Sequence, residues 1–121
     1  MGPYPGRMGL FRRWGRRTGK GAAEPSVSPS RARAATLAHF RDFQATRPGV
    51  EAYIEPATRF DQTTMVLIAR SGEWTRRRVP DAAAARDMAR ELGMPVYDVQ
   101  LTGYPARMRE WTSAQRAAKR R

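Results

Sequence analysis

Apolar and polar positions recur along this chain in two rhythms, and their order predicts the fold. Leu37, Phe40 and Phe43 lie on one side of a helical period, Pro29-Ser30 supplies a start signal and Thr46-Arg47-Pro48-Gly49 a stop, so residues 31–46 read as a helix. Val50 to Glu55 alternates with period two and ends at Pro56, the mark of a strand. Thr63 to Arg70 (TTMVLIAR) is the clearest strand, Ser71-Gly72 reads as a two-residue turn, and Glu73 to Val79 (EWTRRRV) returns as the hairpin partner. Asp81 is a good N-cap for a second helix, with Ala85, Met88, Ala89 and Leu92 as its buried stripe and Gly93 as its stop. Val96 to Leu101 (VYDVQL) reads as a fourth strand. Pro105 then stands at the first position of a last helix, which turns Met108 and Trp111 inward and frays from Arg116 to Arg121.

The order α-β-β-β-α-β-α predicts an α+β domain: a small antiparallel sheet, a three-stranded meander plus a fourth strand, covered on one face by helices. The expected core is Leu37, Phe40, Phe43, Val50, Ile54, Val66, Ile68, Val79, Met88, Leu92, Val96, Val99 and Met108. Residues 1–30 are rich in Gly and Pro, with Ala22 to Ser30 a Pro/Ser linker, and read as a disordered basic tail. Residues 31–112 form the single domain, and 113–121 a basic C-terminal tail. Met8 offers an alternative start to Met1.

Charge sharpens this division. The chain has 121 residues and a net charge of +12, almost all of its basic side being Arg. Residues 1–33 hold eight basic groups and one acid, residues 107–121 hold six and one, and residues 34–106 hold nine of each. A neutral folded middle with two cationic ends predicts a domain carrying polyanion-seeking arms. The same excess also serves solubility. On this pattern Arg12, Arg13, Arg16, Arg17, Lys20, Arg116, Lys119, Arg120 and Arg121 are candidate nucleic-acid contacts, RNA or DNA.

The hairpin adds a second candidate. A two-residue loop pairs Arg70 with Glu73, Ile68 with Thr75 and Val66 with Arg77, and sets Ala69, Leu67 and Met65 opposite Trp74, Arg76 and Arg78. Trp74, Arg76 and Arg78 share a face in either orientation. An indole between two guanidiniums can stack a base and fork a phosphate. Alternatively, Trp74 packs under the last helix with the Arg stems across it. Leu10, Phe11 and Trp14, with Arg on the other face of residues 8–20, suit an anionic membrane surface as a further partner.

Catalytic and cofactor chemistry finds little support. With no Cys and the single His39, the chain lacks a disulfide scaffold, a Cys/His zinc site and a thiol nucleophile. Thr18-Gly19-Lys20-Gly21 resembles a phosphate loop but lacks its first Gly and its Ser or Thr after Lys. No dinucleotide fingerprint follows a strand. His39 has no partner positioned by sequence, and Asp61, Asp98 and Glu55 read as solvated or ion-paired. No cofactor or metal is expected, and the balance leans away from an enzyme. A small enzyme or a protein-interaction module remains the alternative. No apolar run reaches the length of a membrane span and no secretory pattern opens the chain, so the cytoplasm is the expected compartment.

Helix, meander, helix is similar in order to double-stranded-RNA-binding domains, although Asp81 to Arg86 (DAAAAR) lacks that family's Lys-rich helix start. Ser71 to Gly93 resembles the sheet-then-helix end of phage-type integrase arm-binding domains, which lay a basic sheet into a DNA groove. Glu51 to Trp111, with EAYIEPATRFDQTTMVLIARSGEWTRRRVP and PVYDVQLTGYPARMREW, resembles a small uncharacterised family of high-GC Gram-positive bacteria. That resemblance implies a folded domain and a bacterial cytoplasm. Some members carry an oxidoreductase label, which no cofactor motif of this chain matches.

Overall fold

Ser28 opens the described part of the chain by capping its first helix. The computed structural model describes residues 28–120. The Ser28 hydroxyl accepts the backbone N–H of Arg31 at 3.3 Å, and Pro29 occupies the first turn, where its missing N–H costs nothing. Helix α1 (Pro29–Thr46) therefore starts inside the segment expected to be linker. It buries Leu37, Phe40 and Phe43.

Three strands follow, β1 (Glu51–Glu55), β2 (Thr64–Ile68) and β3 (Trp74–Arg78), then α2 (Ala82–Leu92), β4 (Val96–Asp98), the single turn α3 (Val99–Thr102) and α4 (Ala106–Lys119). Helix α2 forms where its caps place it. The Asp81 carboxylate accepts from Ala84 N at 2.8 Å, and Gly93, at φ +69°, closes the other end with Met94 N donating to Ala89 O. The stretch from Val96 to Leu101 departs from the strand expected there. Asp98 caps α3 by accepting from Gln100 N at 2.8 Å, and Gly103 ends it, so pairing stops at Asp98. Pro105 stands at the N-cap of α4 rather than at its first helical position, and residues 113–119 continue that helix.

The sheet order is β3-β2-β1-β4. β1, β2 and β3 form the antiparallel meander, but β4 runs parallel to β1, pairing Tyr53 with Tyr97. The sheet is thus mixed rather than antiparallel. Topology compels this, because a helical crossover returns β4 in the direction of β3, which is also the direction of β1.

Hairpin register also differs by one residue from the expected pairing. Ala69 N donates to Glu73 O at 2.8 Å, and Ile68 lies opposite Trp74. The loop is three residues, Arg70-Ser71-Gly72, with Gly72 at φ +96°. Arg70 leaves the ladder because its N–H donates to Pro48 O at 3.0 Å.

Helices cover both faces of the sheet, not one. On one side α1 and α2 bury Phe40, Ala52, Ile54, Met65, Leu67, Val79 and Met88. On the other, Tyr53, Val66, Ile68 and Met108 form a smaller cluster under α4, with Trp74 against it. Two-sided coverage explains why β2 is apolar and buried from Met65 to Ile68. Of the expected core, Val96 and Val99 are only half-buried, while Met65, Leu67 and Met94 are buried beyond expectation. No helix among the described residues is long and apolar enough to cross a membrane.

Candidate nucleic-acid interface

Helix α4 crosses its sheet face from β1 towards β3. At its start the Arg107 guanidinium donates to Glu51 Oε1 at 2.7 Å and to Ala69 O at 3.0 Å. One turn on, Thr112 Oγ1 accepts the Trp74 indole N–H at 3.0 Å. From Ser113 to Arg120 every residue is exposed, so the last two turns stand clear of the sheet. Arg116, Lys119 and Arg120 lie on these turns. Arg109 joins them at helical spacing from Arg116, a neighbour the charge count alone did not single out. None of these four cations forms an ion pair among the described residues. Arg116, Lys119 and Arg120, at the C-terminal end, also complement the negative end of the helix dipole.

Trp74 and Arg76 take the packed alternative instead of an open stacking face. The indole is half-buried, and the Arg76 guanidinium lies 5.0 Å from its ring centroid. Arg76 binds Glu55 in a two-pronged contact, Nε to Oε1 at 2.7 Å and Nη2 to Oε2 at 2.8 Å. Thr64 and Tyr104 donate their hydroxyls to the same carboxylate. Burial pushes the Glu55 carboxyl upward, but the hydrogen bonds from Arg76, Thr64 and Tyr104 outweigh it and hold the group below the usual carboxylate value. The Glu55 side chain is only 15% exposed, so this hub fixes Arg76 and Tyr104 in place. Arg78, on the same face, is exposed and has no acidic partner among the described residues. Arg12, Arg13, Arg16, Arg17, Lys20 and Arg121, with the membrane-suited segment 8–20, lie outside the described residues.

On the opposite face His39 meets β3. Arg77 Nη2 approaches His39 Nδ1 at 3.2 Å, and His39 Nε2 lies 2.7 Å from Thr75 Oγ1. A guanidinium only donates, so Nδ1 accepts and Nε2 carries the hydrogen that Thr75 receives. In this tautomer His39 cannot take the Thr75 proton, and the pair is not a nucleophile and its base. Burial lowers the His39 pKa, Arg77 adds to the shift, Asp42 opposes it and Arg47 adds a little more. The folded ring thus protonates at a lower pH than the ordinary 6.5, and the unfolded chain takes up the proton first. This contribution to stability is full above the unfolded value of 6.5 and is lost as pH falls from there through the lower folded value. Urea midpoints at pH 7.5 and 5.5 are expected to differ in the natural chain and to converge in His39→Gln. An equal pH dependence in both would place its origin elsewhere.

Among the described residues no group of three His, Cys, Asp or Glu side chains is placed to hold a metal ion. Fold and surface together define a small α+β domain with a mixed four-stranded sheet between helices. The chain matches no protein-family model, no curated protein and no solved structure.

Proposed function

We propose that the protein is a nucleic-acid-binding accessory protein that grips the phosphate backbone with its cationic ends. The observation that carries this reading is the exposed second half of α4. Arg116, Lys119 and Arg120 stand there without acidic partners among the described residues, with Arg109 exposed two turns before Arg116, on a helix whose one acid is Glu110. Arg suits this task because its planar fork matches a phosphate. The Arg-rich residues 1–33 add charge of the same sign. Such contacts fix position on the backbone and read little sequence. Trp74 and Arg76 contribute by holding α4 on the sheet, not by stacking a base.

Anisotropy titrations of labelled duplex DNA and structured RNA over a series of salt concentrations test it. Affinity is expected to fall about 10³–10⁵-fold between 50 and 200 mM salt if roughly six to ten phosphates are engaged. Replacing Arg116, Lys119 and Arg120 together by Ala is expected to reduce the duplex salt slope by about 2.7, at about 0.9 per lost phosphate contact. These side chains are exposed, so the helical circular dichroism signal stays. A flat salt response, or a triple variant with an unchanged slope, would remove α4 from the interface.

A further inference from the structure

The sheet order leaves β3 as an edge strand, and its ladder shows which groups are open. Ala69 N donates to Glu73 O at 2.8 Å, and Val79 N to Thr63 O at 3.0 Å. These bonds set the alternation: Thr75 and Arg77 turn their backbone groups to β2, while Trp74, Arg76 and Arg78 turn theirs outward. The outward N–H groups of Arg76 and Arg78 have no partner among the described residues. The outward carbonyl of Arg76 accepts from Arg77 Nη1 at 2.8 Å, so Arg77 folds back over the edge. A groove of about 350 Å³ runs between this edge and α1, lined by His39, Phe43, Trp74 and Thr75, by Arg47 paired with Glu73, and by the Asp42 carboxylate.

We propose that the β3 edge is a docking site for an acidic, extended segment of a partner protein, which adds to the sheet as a fifth strand. Charge selects this occupant at the Arg77 and Arg78 end of the edge, outside the groove lining that holds Asp42 and Glu73. Arg77 and Arg78 have no acidic partner among the described residues, and α4 carries Arg116, Lys119 and Arg120 past the β3 side of the sheet. A second copy pairing through its own β3 would set Arg76, Arg77 and Arg78 against the same residues, and like charges directly opposite repel. A neutral apolar strand would meet the guanidiniums of Arg77 and Arg78, which have no acidic partner among the described residues, and a carbonyl already taken. An acidic strand brings carboxylates that replace the Arg76 carbonyl as the partner of Arg77. The carbonyl is then released to the ladder of the incoming strand. Arg77 thus closes the edge to most strands and opens it to acidic ones, which turns a common defence of edge strands into a filter.

Hydrogen exchange of the full chain tests this, with a Glu-Val repeat hexapeptide as probe and a Lys-Val repeat as control. Saturating acidic peptide is expected to slow exchange at least tenfold at the Trp74, Arg76 and Arg78 amides. The Thr75 and Arg77 amides, already paired to β2, should not change, and the Lys peptide should not bind. Replacing Arg77 and Arg78 by Gln is expected to weaken the acidic peptide at least tenfold. No binding at millimolar peptide overturns the proposal. So does binding without slowed outward amides, which is charge attraction alone. An oligonucleotide that slows the same three amides would assign the edge to nucleic acid instead. The α4 interface is read separately by its salt slope, so the failure of either proposal is visible on its own.

Discussion

Gly72→Ala is expected to destabilise the domain by about 3 kcal/mol, adding roughly 1–2 for a left-handed backbone to about 1–3 for overpacking. Gly72 sits at φ +96°, a conformation that side chains with a Cβ rarely adopt. A methyl group there would also land far inside the van der Waals contact distance of the Arg107 carbonyl oxygen and 2.9 Å from Trp111 Cβ. The obstacle is helix backbone, which cannot rotate aside. Shifting α4 would disturb Met108 in its cluster, the Arg107–Glu51 pair and the Trp74–Thr112 hydrogen bond together. Gly93 and Gly103 provide the control. Nothing lies within 4 Å of an added Cβ at either, so Ala costs only backbone strain: about 1–2 kcal/mol at Gly93, left-handed at φ +69° and ψ +34°, and about 1–3 at Gly103, whose φ +70° and ψ +177° belong to a region reserved for Gly. Urea unfolding of the three variants separates the two effects. Equal losses at Gly72 and Gly93 would show that α4 yields freely.

Phe40→Ala is expected to cost about 3–5 kcal/mol, the range for removing a buried aromatic ring. Phe40 is 0% exposed and packs in the larger core between α1, α2 and the sheet. Small domains have only about 5–15 kcal/mol of stability, so this loss leaves the chain near the unfolding threshold. A fall in Tm of more than about 12 °C follows from roughly 4–8 °C per kcal/mol. Phe60, which is 84% exposed in the loop between β1 and β2, is the matched contrast. Its replacement by Ala should change stability by no more than about 0.5 kcal/mol. A large loss at Phe60 would mean that its ring is covered in solution.

Local signals predicted the local structure well. Asp81, the Ala85–Leu92 stripe and Gly93 specify α2 from both ends, and its caps form as expected. Trp74, Arg76 and Arg78 do share a face. Other features were not legible because they depend on contacts distant in sequence. The hairpin slips by one residue because Pro48 draws the Arg70 N–H out of the ladder. The parallel β1–β4 pairing depends on where α2 delivers the chain. Coverage of the second face depends on α4, whose one buried residue is Met108. Asp98 followed by Gly103 did carry the signal of a short capped turn, outweighed by the apolar run VYDVQL. At the candidate interface the cations of α4 were legible from charge, whereas the Glu55 hub was not. Its partners Thr64, Arg76 and Tyr104 come from three separate segments.

The parallel pairing of β1 with β4 also sets a schedule. β1 is an inner strand whose second neighbour, β4, is the last of the described strands to be synthesised. Domains acquire structure as they are synthesised, and the meander of β1, β2 and β3 has all its residues well before Val96 exists. During that interval the Ala52–Ile54 edge of β1, buried in the finished molecule, stands open beside an apolar surface. Edges of this kind invite pairing with other chains. Docking of β4 covers the β1 edge and leaves as sheet edges β3, guarded by Arg, and β4, which is only three residues long. A chain that has formed the meander but not yet docked β4 therefore carries an open edge that the folded domain does not.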